Sequence, residues 1–432
     1  MSPFEPPKYA HRSTAAAGGP ATERYYLEDG PLRRIAREVK GPTGTFTSHV
    51  PLLDGAPLDD ARSAFDWCWL RMRTSPALPE PSRELRIVDL FSGCGQMTVG
   101  ASEAARAVGL RGELVLAIDQ DAAAAEILRR LFHDADVRQS DIQQLLAHDL
   151  GKKTSAAERR LISAVGNVDL LVGGPPCQGH SNLNNRTRGS DERNALALRM
   201  VRFAKLVRPR FVLMENVLGI KRDQHQVFDQ VREGLEALKY RTANAVIKAE
   251  LHGVPQRRHR VFLVAVRDGF PAGALDLPQV QERPFSWACG DLHLTPSKDL
   301  FDTAPTPTDV NLARIRYLFN RKKWDLPDKQ RPPCHRDGGH RYKSIYGRLY
   351  WDRPVQTITT GFRSMGQGRY VHPKSRRTIT PHEAARLQFI PDFVSFGGLS
   401  VSKTATLIGN AVPPKLVYAI VLNLLLSPWK LR

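Results

Sequence analysis

The stretch Val168-Asp-Leu-Leu-Val-Gly-Gly-Pro-Pro-Cys177-Gln-Gly-His-Ser181 decides how this chain is organised. Its apolar run, Leu170 to Val172, meets two glycines and two prolines at once, which predicts a buried strand that stops abruptly. The two prolines fix their φ angles, so Cys177 is expected at a rigid corner beyond the carboxyl end of the strand. Ligands bind at that edge of an open α/β sheet. The residues alone leave two interpretations of Cys177 open, a buried structural cysteine and a nucleophile.

Composition places the chain among globular proteins with a polyanionic partner. It has 432 residues, of which 41% are hydrophobic and 25% charged, and this length suits two or three domains. The net charge of +19 exceeds what a solvated surface needs and favours nucleic acid as the partner. No apolar segment begins the chain, so we expect a cytoplasmic protein. The late apolar run Leu416–Leu426 is too short to span a bilayer and predicts a buried helix.

The cysteines predict neither disulfides nor a metal site. There are five, an odd number, and they are widely spaced along the chain: Cys68, Cys94, Cys177, Cys289 and Cys334. Because no pair has the spacing of metal ligands, we expect a reducing compartment and no zinc.

Two strand-and-turn patterns predict a cofactor site. Leu85–Leu90 runs into the glycine turn Ser92-Gly-Cys-Gly95, after which Met97–Val108 reads as a helix with an electropositive start. About thirty residues later a second strand ends at Asp119, an acidic position suited to accepting ribose hydroxyls. Asp121 is the alternative, although it fits better as the N-cap of the helix Ala122–Phe132. Ser140-Asp141-Ile142 reads by itself as one more helix cap.

Two later blocks carry charged side chains at strand ends. Phe211–Met214 is an apolar run that ends in Glu215, which is either a strand edge meeting solvent or a carboxyl group in a site. Gln256-Arg-Arg258-His-Arg260 opens another strand, and its alternate residues share one face if the strand has begun there. Arginines on the surface of an edge strand are the alternative interpretation.

The motif Gly-Gly-Pro-Pro-Cys-Gln-Gly resembles the catalytic motif of the DNA cytosine-5 methyltransferases, and six further blocks follow that family's order from Leu85 to the C-terminus. The resemblance implies that Cys177 attacks C6 of cytosine, that Glu215 holds the ring edge, and that Arg258 and Arg260 lie near cytosine O2 and the catalytic loop. It also implies a site for S-adenosyl-L-methionine formed by Phe91, Gly93, Gly95, Asp119, Asp141 and Asn410.

The chain departs from the family pattern at three positions. Gln96 stands where the family usually has a second glycine, and we expect the change to be tolerated. Asp119 stands where Glu is more frequent, and His180 where Phe is frequent. The long polar segment from Gly179 to Asn194 matches the loop that closes over a flipped-out cytosine in the family.

These patterns predict an α/β fold, namely a doubly wound, mostly parallel sheet of the S-adenosylmethionine-dependent methyltransferase type with a small irregular target-recognition domain. The predicted units are an N-terminal extension (1–83), a catalytic domain (84–268), a recognition domain (269–378) and a returning C-terminal segment (379–432). Within the extension, Met1–Thr22 is expected to be disordered, Tyr25–Val39 to hold a short amphipathic helix, and Asp59–Thr74 to form a second helix.

The recognition domain is expected to bind double-stranded DNA through its basic residues. From Arg331 to Arg377 there are eleven Lys or Arg against two Asp, with six aromatic residues interleaved. Basic residues neutralise phosphates, whereas aromatic and polar tips can meet bases. The basic residues of the extension, Arg33, Arg34, Arg37 and Lys40, are the next candidates for this contact.

The function predicted from the sequence is transfer of a methyl group from S-adenosyl-L-methionine to C5 of a flipped-out cytosine in a specific DNA sequence. We expect a monomer that works beside restriction or phage-defence proteins. Three alternatives stay open: an RNA (tRNA) cytosine-5 methyltransferase, a DNA-binding protein with a dead site, and an enzyme of the same fold that transfers another group. Intact Cys177, Glu215 and Arg258 argue against the second.

Overall fold

The structure, a computed structural model, describes ten stretches of the chain. They are residues 22–28, 32–41, 44–77, 83–146, 150–176, 196–222, 226–269, 273–292, 299–336 and 345–426. Cys177 and the polar segment from Gly179 to Asn194 lie outside them.

Twelve strands and twelve α-helices are assigned in these stretches. The strands are β1 (Thr22–Glu28), β2 (Arg34–Gly41), β3 (Gly44–Pro51), β4 (Glu84–Leu90), β5 (Arg111–Asp119), β6 (Asp136–Gln139), β7 (Leu170–Gly173), β8 (Phe211–Asn216), β9 (Arg241–Lys248), β10 (Gln256–Arg257), β11 (His259–Val266) and β12 (Val355–Gln356). The helices are α1 (Ala61–Leu70), α2 (Gln96–Ala107), α3 (Ala122–Leu131), α4 (Ile142–Leu145), α5 (Ala156–Val165), α6 (Ala197–Val207), α7 (Val227–Ala237), α8 (Phe285–Cys289), α9 (Asp309–Asn320), α10 (Pro381–Leu387), α11 (Val401–Asn410) and α12 (Pro414–Leu426). Short 3₁₀ helices cover Leu218–Arg222, Ala249–His252, Asp328–Gln330, Pro333–His335 and Met365–Gln367.

The core is one seven-stranded sheet in the order β6-β5-β4-β7-β8-β11-β9. Six strands run parallel, and β11 runs antiparallel to both of its neighbours. β7 and β8 are buried along their whole length, as parallel strands covered on both faces must be. One apolar cluster packs α2 and α12 on one face, and another packs α5, α6 and α7 on the other. The predicted doubly wound, mostly parallel sheet is confirmed.

The N-terminal segment is a three-stranded antiparallel sheet, so the helix predicted over Tyr25–Val39 is wrong. Ile35, Arg37 and Val39 alternate onto one buried face of β2, which is the period of a strand. Pairing with β1 and β3 supplies the backbone hydrogen bonds, and this partner choice overrides the local helical pattern. The disorder predicted for Met1–Thr22 falls outside the described residues except at Thr22, where β1 begins. α1 lies within the predicted helix Asp59–Thr74 and covers the sheet.

The C-terminal segment packs on α2, the first helix of the central domain. Cβ of an alanine at Gly100 on α2 would lie 2.4 Å from the carbonyl oxygen of Pro414, so α2 and α12 are in close contact. In the described stretches one helical segment, Val401–Leu426, is long and apolar enough to cross a membrane, but 78% of its most apolar window is buried inside the protein. The buried helix predicted at Leu416–Leu426 is therefore confirmed.

The segment between β11 and α10 has its own small core. Ile315 and Leu318 of α9 pack with Leu326, Ile345, Tyr346, Met365 and Val371. The parallel pair β10–β12 joins this segment to the central domain beside Gln256. The segment is thus anchored where the predicted Gln-x-Arg-x-Arg block begins.

Candidate active site

The glycine turn after β4 leaves an open cradle at the carboxyl edge of the sheet. Phe91 (φ 58°), Gly93 (φ 51°) and Gly95 (φ 77°) all adopt left-handed conformations between the strand and α2. No atom lies within 4 Å of the position that a Cβ on Gly93 would take, whereas one on Gly95 would lie 2.7 Å from Leu128 Cδ2. Gly93 therefore leaves room for a ligand, and Gly95 allows α3 to pack closely.

Asp119 closes this cradle from the end of β5. Its Oδ2 accepts a hydrogen bond from the backbone N–H of Gly93, and its Oδ1 accepts one from the N–H of Asp121, both at 2.8 Å. Burial raises the pKa of Asp119, and these backbone donors oppose the rise. Asp121 instead caps α3 and pairs with Lys403 Nζ at 3.0 Å. The structure thus places Asp119 against the glycine turn and Asp121 in the capping position that the sequence favoured for it.

A second buried carboxyl, that of Asp89, lies in β4, and the sequence patterns assigned it no function. Asp89 is fully buried, and its Oδ2 accepts from Thr98 Oγ1 at 2.7 Å, while its Oδ1 has no hydrogen-bond partner in the structure. Burial raises the pKa of Asp89 to about 7, against the Thr98 hydrogen bond. A charged residue inside an apolar strand was the signal that could have identified it. Gln96 fits this turn, since its Nε2 donates to the Cys94 carbonyl at 3.0 Å.

The other two predicted cofactor residues lie on helix ends. Asp141 caps α4, where it accepts from the N–H of Gln143 at 2.9 Å. Asn410 is the last residue of α11 and is exposed to solvent. Cys94 Sγ lies 3.9 Å from the Leu407 carbonyl oxygen, so α11 lies against the glycine turn. Asn410 is therefore on a helix that contacts the glycine turn.

Glu215 lies beside the corner that leads to Cys177. β8 is the neighbour of β7, and a Cβ on Gly174 would be 3.7 Å from Glu215 Oε2. Asn216 Nδ2 donates to the Pro175 carbonyl at 3.3 Å and so holds the corner against the end of β8. The structure brings Glu215 to the Gly-Pro-Pro corner but does not describe Cys177 itself.

The carboxylate of Glu215 is held by an arginine from the antiparallel strand. Arg260 Nε lies 3.0 Å from Glu215 Oε1, and both side chains are largely buried. Burial raises the pKa of Glu215, and the charges of Arg260 and Arg258 oppose this rise. Glu215 of β8 and Arg260 of β11 therefore meet between neighbouring strands.

The two terminal nitrogens of Arg258 bind backbone carbonyls. Its Nη1 donates to the Ile358 carbonyl at 3.0 Å, and both terminal nitrogens lie 3.3 Å from the Gly409 carbonyl. Gln388, which the sequence did not single out, donates to the Ile408 carbonyl at 2.8 Å and accepts from Gln256 at 2.9 Å. Gln256, Arg258 and Arg260 do point inward together, and the first two join the C-terminal block to the segment around Ile358. No sequence signal marks Gln388.

The site residues share one edge because β5, β4, β7 and β8 are adjacent and parallel. Asp119, the glycine turn, the Gly-Pro-Pro corner and Glu215 all follow the carboxyl ends of these strands, where α/β proteins bind ligands. In the described part of the chain, no group of three or more His, Cys, Asp or Glu side chains is arranged to hold a metal ion. The fold and this edge define a methyltransferase-type α/β protein.

Comparison with known proteins identifies the family. The family model of the C-5 cytosine-specific DNA methylases matches residues 85–425, and the chain belongs to that family. It is a DNA (cytosine-5-)-methyltransferase. The chain is 41% identical to Type II methyltransferase M1.BsuMI of Bacillus subtilis over 409 residues, covering 93% of this chain and 94% of that protein. It is 29% identical to Type II methylase M.HgiDII of Herpetosiphon aurantiacus over 347 residues, covering 76% and 91%.

A solved structure supports the fold. The crystal structure of the S. pombe Dnmt2 methyltransferase superposes with a TM-score of 0.56 at 20% identity, over 80% of this chain and 99% of that one. The family model begins at residue 85, whereas the match to M1.BsuMI covers 93% of this chain. The match to M1.BsuMI therefore includes much of the segment that precedes residue 85. The N-terminal sheet and α1 thus fall largely within a region that the two proteins share.

Proposed function

We propose that this enzyme methylates C5 of cytosine within a specific double-stranded DNA sequence, using S-adenosyl-L-methionine, through a covalent bond between Cys177 and C6. The observation that carries the proposal is the Gly-Pro-Pro corner of β7 lying against the Glu215–Arg260 pair of β8 and β11. That corner continues directly into Cys177. A nucleophile at that position would face the carboxyl group of Glu215, which Arg260 already holds in place.

The chemistry needs a nucleophile because C5 of cytosine is unreactive in the free base. Addition of the Cys177 thiolate to C6 makes C5 enamine-like, so that C5 can take the methyl group. Loss of the C5 proton and departure of the thiolate then restore the aromatic ring and the free cysteine. The base must leave the duplex stack before any of this can happen.

Glu215 is the proposed partner of the cytosine ring edge. Attack at C6 pushes electron density toward N3, and a carboxyl group whose pKa is raised by burial can donate a hydrogen bond there. Arg260 holds the carboxyl in place and is the group proposed to lie near O2. Arg258 would act indirectly, since its guanidinium fixes the Ile358 and Gly409 carbonyls.

The cradle around Gly93 fits S-adenosyl-L-methionine, which would supply the methyl group. The room above Gly93, the carboxylate of Asp119 and the electropositive start of α2 are suited to a nucleoside with an amino-acid tail. We propose that Phe91, Gly93, Gly95, Asp119, Asp141 and Asn410 contact it.

Names of relatives suggest the biological setting. Two of them are described as Type II methyltransferases or methylases, and we propose that this chain is likewise the modification enzyme of a restriction–modification system. In that setting it would protect host DNA at the sites that the restriction enzyme cuts.

The test of the mechanism replaces the nucleophile. Cys177→Ser should abolish methyl transfer to DNA while cofactor affinity stays unchanged, because an alcohol is a far weaker nucleophile than a thiolate near neutral pH. Cys334→Ser is the matched control, since Cys334 is an exposed free cysteine. Duplex DNA with 5-fluorocytosine should form a covalent complex with the wild-type enzyme that survives denaturing electrophoresis. Normal turnover by Cys177→Ser would overturn the assignment.

The same assay separates DNA from RNA as the substrate. Labelled methyl groups should enter unmethylated genomic DNA and not transfer RNA. Incorporation of label into transfer RNA and not into DNA would show that the substrate is RNA.

A further inference from the structure

We propose that five basic side chains at the end of α9 and on a neighbouring turn bind the phosphates of the DNA duplex that carries the target cytosine. These residues, called the basic patch below, are Arg321, Lys322, Lys323, Lys374 and Arg376. All five are exposed to solvent. The inference rests on the proposed function for its ligand, and it adds the end of α9 to the segment in which the sequence alone put the phosphate contacts.

The end of α9 holds three of these cations in a fixed geometry. Lys322 adopts a left-handed conformation with φ 50°. The N–H of Lys323 donates to the Leu318 carbonyl at 2.8 Å, and that of Lys322 donates to the Phe319 carbonyl at 3.1 Å. These two bonds close the helix as a Schellman motif, so the three consecutive side chains project from a rigid turn.

A second turn brings two more cations to the same place. Lys374 and Ser375 donate their backbone N–H groups to His372 Nδ1 at 3.0 Å and 2.8 Å, which fixes the turn. The Arg376 guanidinium donates to Asn320 Oδ1 at 3.0 Å, so the turn lies against the last residue of α9. The five charges thus come from two segments that are distant in sequence and adjacent in space.

Three other cations of the predicted DNA-binding segment are held by contacts within the fold, whereas Arg336, Arg353 and Arg363 are exposed. The guanidinium of Arg348 lies between the rings of Phe319 and Trp324, at 4.0 and 4.5 Å from their centroids. Arg369 is buried against Asp325 and two backbone carbonyls, and Arg377 forms a bidentate pair with Glu383. These arginines support the small core of the segment, so a phosphate would compete with the contacts that they already make. Lys374 Nζ also lies over the Trp351 ring, 3.5 Å from its centroid, but the residue stays exposed to solvent.

Acids near the basic patch are occupied as well. Asp325 pairs with Arg369, and Asp328 lies 3.6 Å from Arg331. Among the residues that the structure describes, no carboxylate pairs with any of the five patch cations. Like charges held close together repel one another, and a polyanion lying against them relieves that repulsion.

The patch is continuous with the wall of the candidate active site. The turn that carries Lys374 and Arg376 follows Tyr370, whose hydroxyl lies 2.9 Å from Thr359 Oγ1. Ile358, the preceding residue, is the one whose carbonyl is held by Arg258. A duplex whose flipped-out base enters the site would therefore run past this turn. Arg37 of the N-terminal extension is no rival, because it is buried in an ion pair with Glu103 at 2.9 Å.

Lys322→Gly is the sharpest test, and Lys239→Gly is its matched control. Lys239 has the same left-handed conformation, φ 67°, at the end of α7, a helix of the central domain that is not part of the basic patch. Glycine relieves the conformational strain at both positions, so the thermal midpoint of either variant should equal or exceed that of wild type. Only Lys322→Gly should weaken binding to mixed-sequence duplex DNA. The slope of log affinity against log salt should fall by about one unit for one lost phosphate contact.

A triple variant extends the test to the whole helix end. R321Q/K322Q/K323Q should lower the salt slope by roughly two to three units. Unchanged slopes in both the triple variant and Lys322→Gly would overturn the proposal. A fall in slope for Lys239→Gly equal to that for Lys322→Gly would also overturn it. Methyl transfer by the wild-type enzyme to genomic DNA is measured at low salt alongside the binding. If no methyl group is transferred while the salt slopes change as expected, the proposed reaction is wrong and the proposed phosphate contacts of the basic patch remain supported.

Discussion

At the residue scale, Asp119 and Asp121 differ in what their carboxylates hold. Asp119 accepts from the turn that forms the cradle, and Asp121 caps α3. Asp119→Ala should weaken S-adenosyl-L-methionine binding by roughly 1–3 kcal/mol, because polar partners are left unpaired. Asp121→Ala should cost about 1 kcal/mol of folding free energy as a lost N-cap, with little change in cofactor affinity. Calorimetric titration measures the cofactor affinity, and thermal unfolding measures the stability. If Asp121→Ala weakens cofactor binding and Asp119→Ala does not, Asp121 is the residue that contacts the cofactor.

Asp89 makes stability depend on pH. The pKa of its carboxyl is 3.8 as an ordinary aspartate and is raised to about 7 by burial. The folded state therefore binds more protons than the unfolded state across this interval, and the stabilisation is lost as pH rises toward 7. Relative to Asp89→Asn, the free energy of unfolding of wild type should fall by roughly 2–3 kcal/mol between about pH 5 and about pH 8. Urea unfolding at several pH values measures this difference. Asp134→Asn, an exposed site, is the control and should run parallel to wild type.

At the element scale, Gly100 sets the distance between α2 and α12. Alanine is favoured over glycine inside a helix, yet its Cβ would lie 2.4 Å from the Pro414 carbonyl oxygen. Gly100→Ala should therefore lower the free energy of unfolding by roughly 1–3 kcal/mol, as overpacked sites do. Gly151→Ala is the control, because no atom lies within 4 Å of its Cβ position. Chemical denaturation compares the two variants, and a stabilised Gly100→Ala would show that the helices can move apart.

Also at this scale, the sequence predicted the core elements better than the N-terminal ones. Runs such as Leu170–Val172 are apolar throughout and end in turn residues, so their type is determined locally. The segment over Tyr25–Val39 buries Arg37 in an ion pair with Glu103, and this inward charge conceals the alternation that marks a strand. Its conformation follows from pairing with β3, which local sequence does not reveal.

At the scale of the whole molecule, the order of motifs predicted which side chains would meet. Asp119, the glycine turn and Glu215 each lie at the carboxyl end of a strand. Because these strands are parallel and lie in one sheet, the three features lie at the same edge. Arg258 and Gln388 hold backbone carbonyls of Ile358 and Gly409. These contacts could not be predicted, because the carbonyls come from segments that are distant in sequence. A count of charges in the sequence also does not distinguish the arginines that pack inside the recognition segment from the exposed basic residues that we propose to contact DNA.

The return of α12 to α2 fixes when in its own synthesis this enzyme can become active. Roughly three hundred residues separate the two helices, which at about 5–20 residues per second leaves α2 without its partner for about 15–60 s on the ribosome. Lys415 and Tyr418 of α12 also complete the contacts of Asp66 and Glu23 in the N-terminal segment. The nascent chain therefore carries an uncovered apolar face until α12 emerges, and products of translation interrupted before α12 should be substrates for chaperones and proteases rather than partial enzymes.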